Sequence, residues 1–175
     1  MTGLENSFFK DCTSIKWLHV PESLSITNKA SAFSGCSFVL SLNQEAVSGW
    51  AGCDFITSVE LGEKVRLVDN DAFKGCPNLV SVAFQNCIDS LSLGSESFYK
   101  CTNLSQIKFP QVIKVIGSGC FMGCTNLQTL ALPVILANEM GYSSKGAFSD
   151  CTGLTSVTFD NRTESIGSYM FQNCI

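Results

Sequence analysis

Ten cysteines and one histidine, His19, are the residues of this 175-residue chain whose types could do metal or thiol chemistry. A tetrahedral zinc site needs converging ligands, typically one C-x₂-C pair matched by a second. The only close pair here is Cys120–Cys124. A single histidine allows no His-based catalytic pair and no multi-His metal site. A glycine-rich phosphate loop, a Gly-x-Ser-x-Gly elbow and an EF-hand loop are also missing from the sequence. The chain therefore reads as non-enzymatic, with no catalytic residue, cofactor or metal expected.

The cysteines carry a different regularity. Phe-x-x-Cys recurs as Phe9–Cys12, Phe33–Cys36, Phe73–Cys76, Phe98–Cys101, Phe121–Cys124, Phe148–Cys151 and Phe171–Cys174, and Trp50–Cys53 is the same motif with tryptophan. The cysteines step by 24, 17, 23, 25, 23, 27 and 23 residues. An internal period near 23 decides the fold before any local propensity does. After most of the repeat cysteines an aliphatic residue follows at the third position, another at the sixth and an apolar residue at the eighth, as in "CTNLSQIKFP" and "CTNLQTLALP". The alternation at the end predicts a short half-buried strand in every repeat, starting at or just after Ile15, Val39, Ile56, Leu79, Leu104, Leu127 and Leu154. Pro21, Gly62, Pro110 and Pro133 close several of these strands. Leu93-Gly94, Ile116-Gly117 and Ile166-Gly167 precede the next Phe-x-x-Cys and suit a tight turn.

One repeat cannot bury its own apolar face, so neighbours must stack to form a core. These eight copies, from about Phe9 to Cys174, resemble the BspA-like class of leucine-rich repeats. Ala72–Phe84, Phe98–Pro110, Ile116–Pro133 and Ala147–Phe159 carry the match. The resemblance implies a right-handed leucine-rich-repeat solenoid, β-dominated, with one strand per coil in one parallel sheet. Short turns, strands or 3-10 segments are implied on the opposite side. The whole chain, 1–175, is expected to form this single domain of about seven repeats.

In a stacked ladder the cysteine reads as a small buried hydrophobe. Adjacent strands lie ~4.8 Å apart, but their Cβ vectors run parallel, whereas a disulfide needs them turned toward each other. Free thiols are expected, which suits a reducing setting. Cys120 stands where Ala32, Ala72 and Ala147 stand in other repeats, and Cys87 reads as a loop thiol outside the ladder.

The composition is 45% hydrophobic and 15% charged, with net charge −4. That excludes a disordered chain. No basic cluster suggests nucleic acid, and no apolar run reaches the ~18 residues of a membrane span. "MTGLENSFF" has no basic and apolar signal pattern, and the repeats start and stop without polar caps. A piece of a longer surface or secreted protein is expected. The resemblance implies adhesion to host or extracellular-matrix proteins or to other cells. A stiff spacer presenting other domains is the alternative. Two repeats differ in length. The Cys36–Cys53 step is short, and the Cys124–Cys151 step carries extra residues around Asn138–Gly146.

The strand alternation predicts three outward columns. They read Lys16, Leu40, Thr57, Val80, Ser105, Gln128, Thr155; then Trp17, Ser41, Ser58, Ser81, Gln106, Thr129, Ser156; then His19, Asn43, Glu60, Ala83, Lys108, Ala131, Thr158. Most are small and polar. The exception is the N-terminal edge, so Lys16, Trp17, His19, Leu40, Asn43 and Glu60 are the candidate partner-binding residues. Interface hot spots favour tryptophan; the plain alternative is that Trp17 covers an open edge.

Overall fold

The computed structural model describes residues 3–4, 7–85, 91–137, 145–164 and 166–175. The alternating segments form short strands stacked coil upon coil. A front sheet is built from Trp17–Val20, Phe38–Leu42, Ile56–Leu61, Ser81–Phe84 and Gln106–Lys108, each parallel to its sequence neighbour. Thr129–Leu132 and Ser156–Phe159 continue the series as a separate parallel pair. Every strand starts within two residues of its expected position. Helix is confined, among the described residues, to one turn at Lys29–Ala32.

The far side of each coil is more regular than turns alone would make it. Ala46–Val47, Leu67–Val68, Ser92–Leu93, Val112–Ile116 and Val134–Ala137 make a second five-stranded parallel sheet. Its inward residues Val47, Val68, Leu93, Ile113 and Ile116 meet Leu42, Val59, Leu61, Val82 and Phe84 of the front strands in one buried core. The sequence analysis placed a single sheet here. The β-branched and leucine residues just before each Ile/Leu-Gly pair form the second one.

Between second sheet and front sheet lies the Phe-x-x-Cys corner. Phe33, Phe73, Phe98, Phe121 and Phe148 are fully buried; Phe73 to Phe148 stack ring on ring, and Phe33 stacks on Phe9. Centroids are 5.2 Å apart for Phe73–Phe98, 5.0 Å for Phe98–Phe121 and 5.1 Å for Phe121–Phe148, with ring planes within 7° of parallel. The cysteine amide donates back to the carbonyl of its own repeat's phenylalanine, at 3.1 Å for Cys124 to Phe121. This tight turn needs its third residue in the left-handed region. All eight residues that precede a repeat cysteine have positive φ, between 54° and 78°. They are Asp11, Gly35, Gly52, Gly75, Lys100, Gly123, Asp150 and Asn173. Glycine, asparagine and aspartate dominate because they tolerate that conformation best.

The thiols do more than fill space. Each of Cys36, Cys76, Cys101, Cys124, Cys151 and Cys174 donates its S–H to the carbonyl of the aromatic residue one coil back, at 3.0–3.3 Å. The nine described cysteines are free; Cys87 lies outside the described residues. Cys120 occupies the buried small-residue position, with its sulfur 3.1 Å from Ser97 Oγ. Burial pushes the Cys53, Cys120 and Cys151 thiols up to about 12 from an ordinary 9.0. Because the folded value is the higher one, unfolding releases protons above the ordinary thiol range. The stability these thiols contribute is therefore expected to be constant below about pH 8.5 and to fall as pH rises from there toward 12. Thiol titration at neutral pH should find Cys12 and Cys174 reactive in the native protein. Cys36, Cys53, Cys76, Cys101, Cys120, Cys124 and Cys151 should react only after denaturation. Equal counts in the two states would contradict the ladder.

The front sheet breaks between Lys108 and Thr129 for a visible reason. Nine residues after the cysteine, the amides of Gly62, Gln85 and Asp160 donate to Leu42, Leu61 and Leu132 one coil back, at 2.9, 2.7 and 3.1 Å. Pro133 holds that place in the coil after the break, and proline has no N–H to give; Pro110 lacks it as well, but Gln106–Lys108 still pairs with Ser81–Ala83 behind it. Phe109 also turns edge-on to Phe121, 5.8 Å away, while stacking on Phe84. The coils remain joined elsewhere, through Asn126 N–H to the Thr102 carbonyl (3.2 Å) and Val134 N–H to the Gln111 carbonyl (3.3 Å).

Candidate front-face binding site

The candidate site rests on where the front strands point their outer side chains. Trp17 pairs with Val39 and His19 with Ser41, and in the next step Val39 pairs with Ser58 and Ser41 with Glu60. The observed outer columns are thus Trp17, Val39, Ser58, Ser81, Gln106 and His19, Ser41, Glu60, Ala83, Lys108.

This corrects the expected placement of one repeat. Leu40 is not outward: it is fully buried, paired with Val59 in the core. Val39 stands three residues after Cys36, whereas Trp17 and Ser58 stand five after Cys12 and Cys53. The second repeat reaches its strand two residues early, and an even shift moves the assignment along the strand while leaving the alternation intact. Its neighbour absorbs one extra residue as a bulge at Thr57, whose Oγ1 donates to the Phe38 carbonyl at 3.1 Å. Phe38 supplies the apolar anchor that Val39 was expected to supply. Asn43, expected beside His19 and Glu60, lies beyond that column. It is half-buried, and its Oδ1 accepts from the Lys64 amide at 2.9 Å.

The remaining candidates are brought together. Lys16, Trp17 and His19 are exposed, with Trp17 59% accessible. Lys16 Nζ donates to the Thr13 carbonyl at 3.1 Å, which steadies its stem beside the tryptophan. His19 Nδ1 sits 3.5 Å from Ser41 Oγ, and Glu60 accepts from Gln85 Nε2 at 2.8 Å. Ser81 Oγ donates to Ser58 Oγ at 2.7 Å. The site is one large flat aromatic beside a row of small polar groups already bonded to each other. Such a row orients a ligand more than it attracts one.

A second cluster was not legible from spacing. Lys74 bridges Asp71 (2.9 Å) and Glu96 (2.8 Å), Lys145 bridges Glu96 (2.7 Å), and Lys74, Lys100 and Lys145 lie 5.3–6.0 Å from the Tyr99 ring. Hydrogen bonds from Lys145 and then Lys74 hold the Glu96 carboxyl below its ordinary range. These residues come from three coils and meet only by stacking. Among the described residues no three His, Cys, Asp or Glu side chains converge as metal ligands, and no helix is long and apolar enough to cross a membrane.

The model of the BspA type leucine rich repeat region matches residues 1–47 and 48–175 in six copies. The chain belongs to that family. A leucine rich repeat protein of T. pallidum has the same fold, with a TM-score of 0.51 at 20% identity over 78% of this chain and 79% of that one. A leucine rich cell surface protein of Faecalibacterium prausnitzii aligns over 92% of this chain and 66% of that one, at 15% identity and a TM-score of 0.43. Among curated proteins none matches the sequence. The BspA-type repeats account for the strand, corner and cysteine positions; the two-residue shortening at Cys36 is a feature of this chain.

Proposed function

We propose that this BspA-type repeat domain is a non-catalytic protein-binding module that engages a partner through its front face. Lys16, Trp17 and His19 form the centre, and Glu60 and Asn43 lie at the margin. The partner is a host or extracellular-matrix protein, and the domain works at the cell surface or in secreted form as part of an adhesive protein. The observation that carries this is Trp17, an indole left 59% accessible on a sheet face whose other outer residues are small, polar or charged, Val39 apart. A large rigid side chain presented at low entropic cost is the usual anchor of a protein contact.

The bland outer rows from Ser58 onward favour a second reading, a stiff spacer with no partner of its own. Trp17→Ala against Thr158→Ala separates the two, after capture of a partner from extracellular proteins. Both positions are exposed, so both variants should fold, which circular dichroism checks. Loss of Trp17 should weaken binding by about 2 kcal/mol or more, roughly 30-fold, and loss of Thr158 should change little. Parent-like binding by both variants would remove the front-face site and leave the spacer.

A further inference from the structure

The sequence holds two Asn-x-Ser/Thr patterns, Asn103-Leu104-Ser105 and Asn161-Arg162-Thr163. Such patterns accept N-linked glycans where the asparagine can lie on the surface. Both asparagines are exposed, and they differ in what holds their side chains.

Asn103 is a rung of the stack. Its Nδ2 donates to the Pro77 carbonyl at 2.7 Å and its Oδ1 accepts from Asn126 Nδ2 at 3.2 Å. Asn78 makes the same kind of bond to the Asp54 carbonyl one coil earlier, at 2.6 Å. A sugar on Asn103 Nδ2 would crowd the Pro77 carbonyl to which that nitrogen donates.

Asn161 is exposed on the turn after Ser156–Phe159, and its side chain makes no hydrogen bond to a described residue. The turn is held by its neighbours. Asp160 accepts the Arg162 amide at 2.9 Å and pairs with the Arg162 guanidinium at 2.9 and 3.0 Å, with Asn161 between them. The exposure is not a property of the last coil alone. Counted back from Ile166-Gly167, Asn161 stands where Gln111 stands before Ile116-Gly117, and Gln111 is exposed with coils on both sides.

Thr163 supplies an independent observation. The same count aligns it with Ile113, which is fully buried. Thr163 Oγ1 is buried with no hydrogen-bond partner among the described residues. A lone hydroxyl in a slot that elsewhere takes isoleucine is unfavourable in the folded chain. A transferase reading the extended chain before folding needs a hydroxyl two residues after the asparagine, which the isoleucine of the equivalent position could not supply.

We propose that Asn161 is the N-glycan acceptor of this protein and that Asn103 carries no glycan in the folded chain. The donor is a polyprenyl-diphosphate-linked oligosaccharide. Asn161 Nδ2 forms a bond to the anomeric carbon, the anomeric carbon–oxygen bond to the diphosphate breaks, polyprenyl diphosphate leaves with the bonding pair, and one amide proton passes to a base. No oxidation occurs. The glycan would project from the last described coil, far from Trp17 on the first, so the front-face site stays open.

The test is to produce the chain behind a secretory leader in eukaryotic cells and to map glycopeptides of the secreted pool before and after peptide-N-glycosidase. One glycan, at Asn161, is expected. It should vanish in Asn161→Gln and Thr163→Val and persist in Asn103→Gln. Thr163→Val removes the acceptor pattern while replacing the orphaned hydroxyl with a methyl group, so the variant should melt no lower than the deglycosylated parent. An unmodified Asn161 in cells that glycosylate a control protein would overturn the proposal, as would a glycan at Asn103 in the secreted pool.

Discussion

Truncating Phe121 to alanine is expected to destabilise the protein by about 3–5 kcal/mol, the range for removing a fully buried aromatic side chain. Phe121 is fully buried between Phe98 and Phe148, with both rings near 5 Å away and nearly parallel. It also receives the edge of Phe109 at 5.8 Å. Stacked and edge-on pairs each add about 0.5–1.5 kcal/mol beyond area burial, and one truncation ends three of them. Phe9 is the comparison. It is half-buried and stacks on Phe33 alone within the ladder, at 5.5 Å. Thermal unfolding should show a far smaller loss for Phe9→Ala. Similar losses at both positions would mean that the continuous stack is not what the central coils rely on.

Adding a single methyl at Gly117 is expected to be damaging by the opposite route. A Cβ there would lie 2.5 Å from the Ser95 nitrogen and 2.6 Å from the Gly94 carbonyl carbon, both backbone atoms of the previous coil. Backbone held by hydrogen bonds to the coil before it, the Gly94 N–H to the Val68 carbonyl and the Asp71 N–H to the Ser95 carbonyl, cannot step aside as a flexible side chain can, so Gly117→Ala should cost about 1–3 kcal/mol or more by overpacking. Gly52→Ala gives the contrast. Nothing lies within 4 Å of its added Cβ, but its φ is +68°, so the cost there should be about 1–2 kcal/mol of backbone strain. Chemical denaturation of the two variants would separate the mechanisms. Replacing Ser95 with glycine should leave Gly117→Ala just as unstable, because the clash is with main chain.

Much of this architecture is legible in the sequence because the repeat states each instruction several times. The front strands, the buried aromatic corner and the free thiols all follow from one motif read down its columns. What escaped has a local cause in each instance. Leu40 was misplaced because the second repeat lost two residues between Cys36 and its strand, and a column read by counting from the cysteine inherits that shift. The second sheet was hidden because strands such as Ala46–Val47 and Ser92–Leu93 are two residues long, too short to show alternation. Gly94 and Gly117 were read as turn glycines, yet neither has positive φ; they are glycine because the preceding coil passes against them. The left-handed residue before each cysteine had a signal in plain view, the Gly, Asp and Asn found at seven of its eight copies. The candidate site was legible only in part. Trp17 and His19 follow from simple alternation and Lys16 stands just before their strand, whereas the Glu96–Lys145 contact joins coils whose loop lengths no pattern fixes.

The gap between Lys108 and Thr129 also sets how the domain comes apart. In a one-dimensional stack, total stability is the sum of coil terms and nearest-neighbour interface terms. The interfaces draw in different proportions on front-strand bonds, aromatic stacking, a thiol bond and second-sheet pairing. The interface across Pro133 lacks the first of these. Coupling there rests on ring stacking, the Cys124 thiol bond and second-sheet pairing, so front-sheet cooperativity stops at that interface although no linker interrupts the chain.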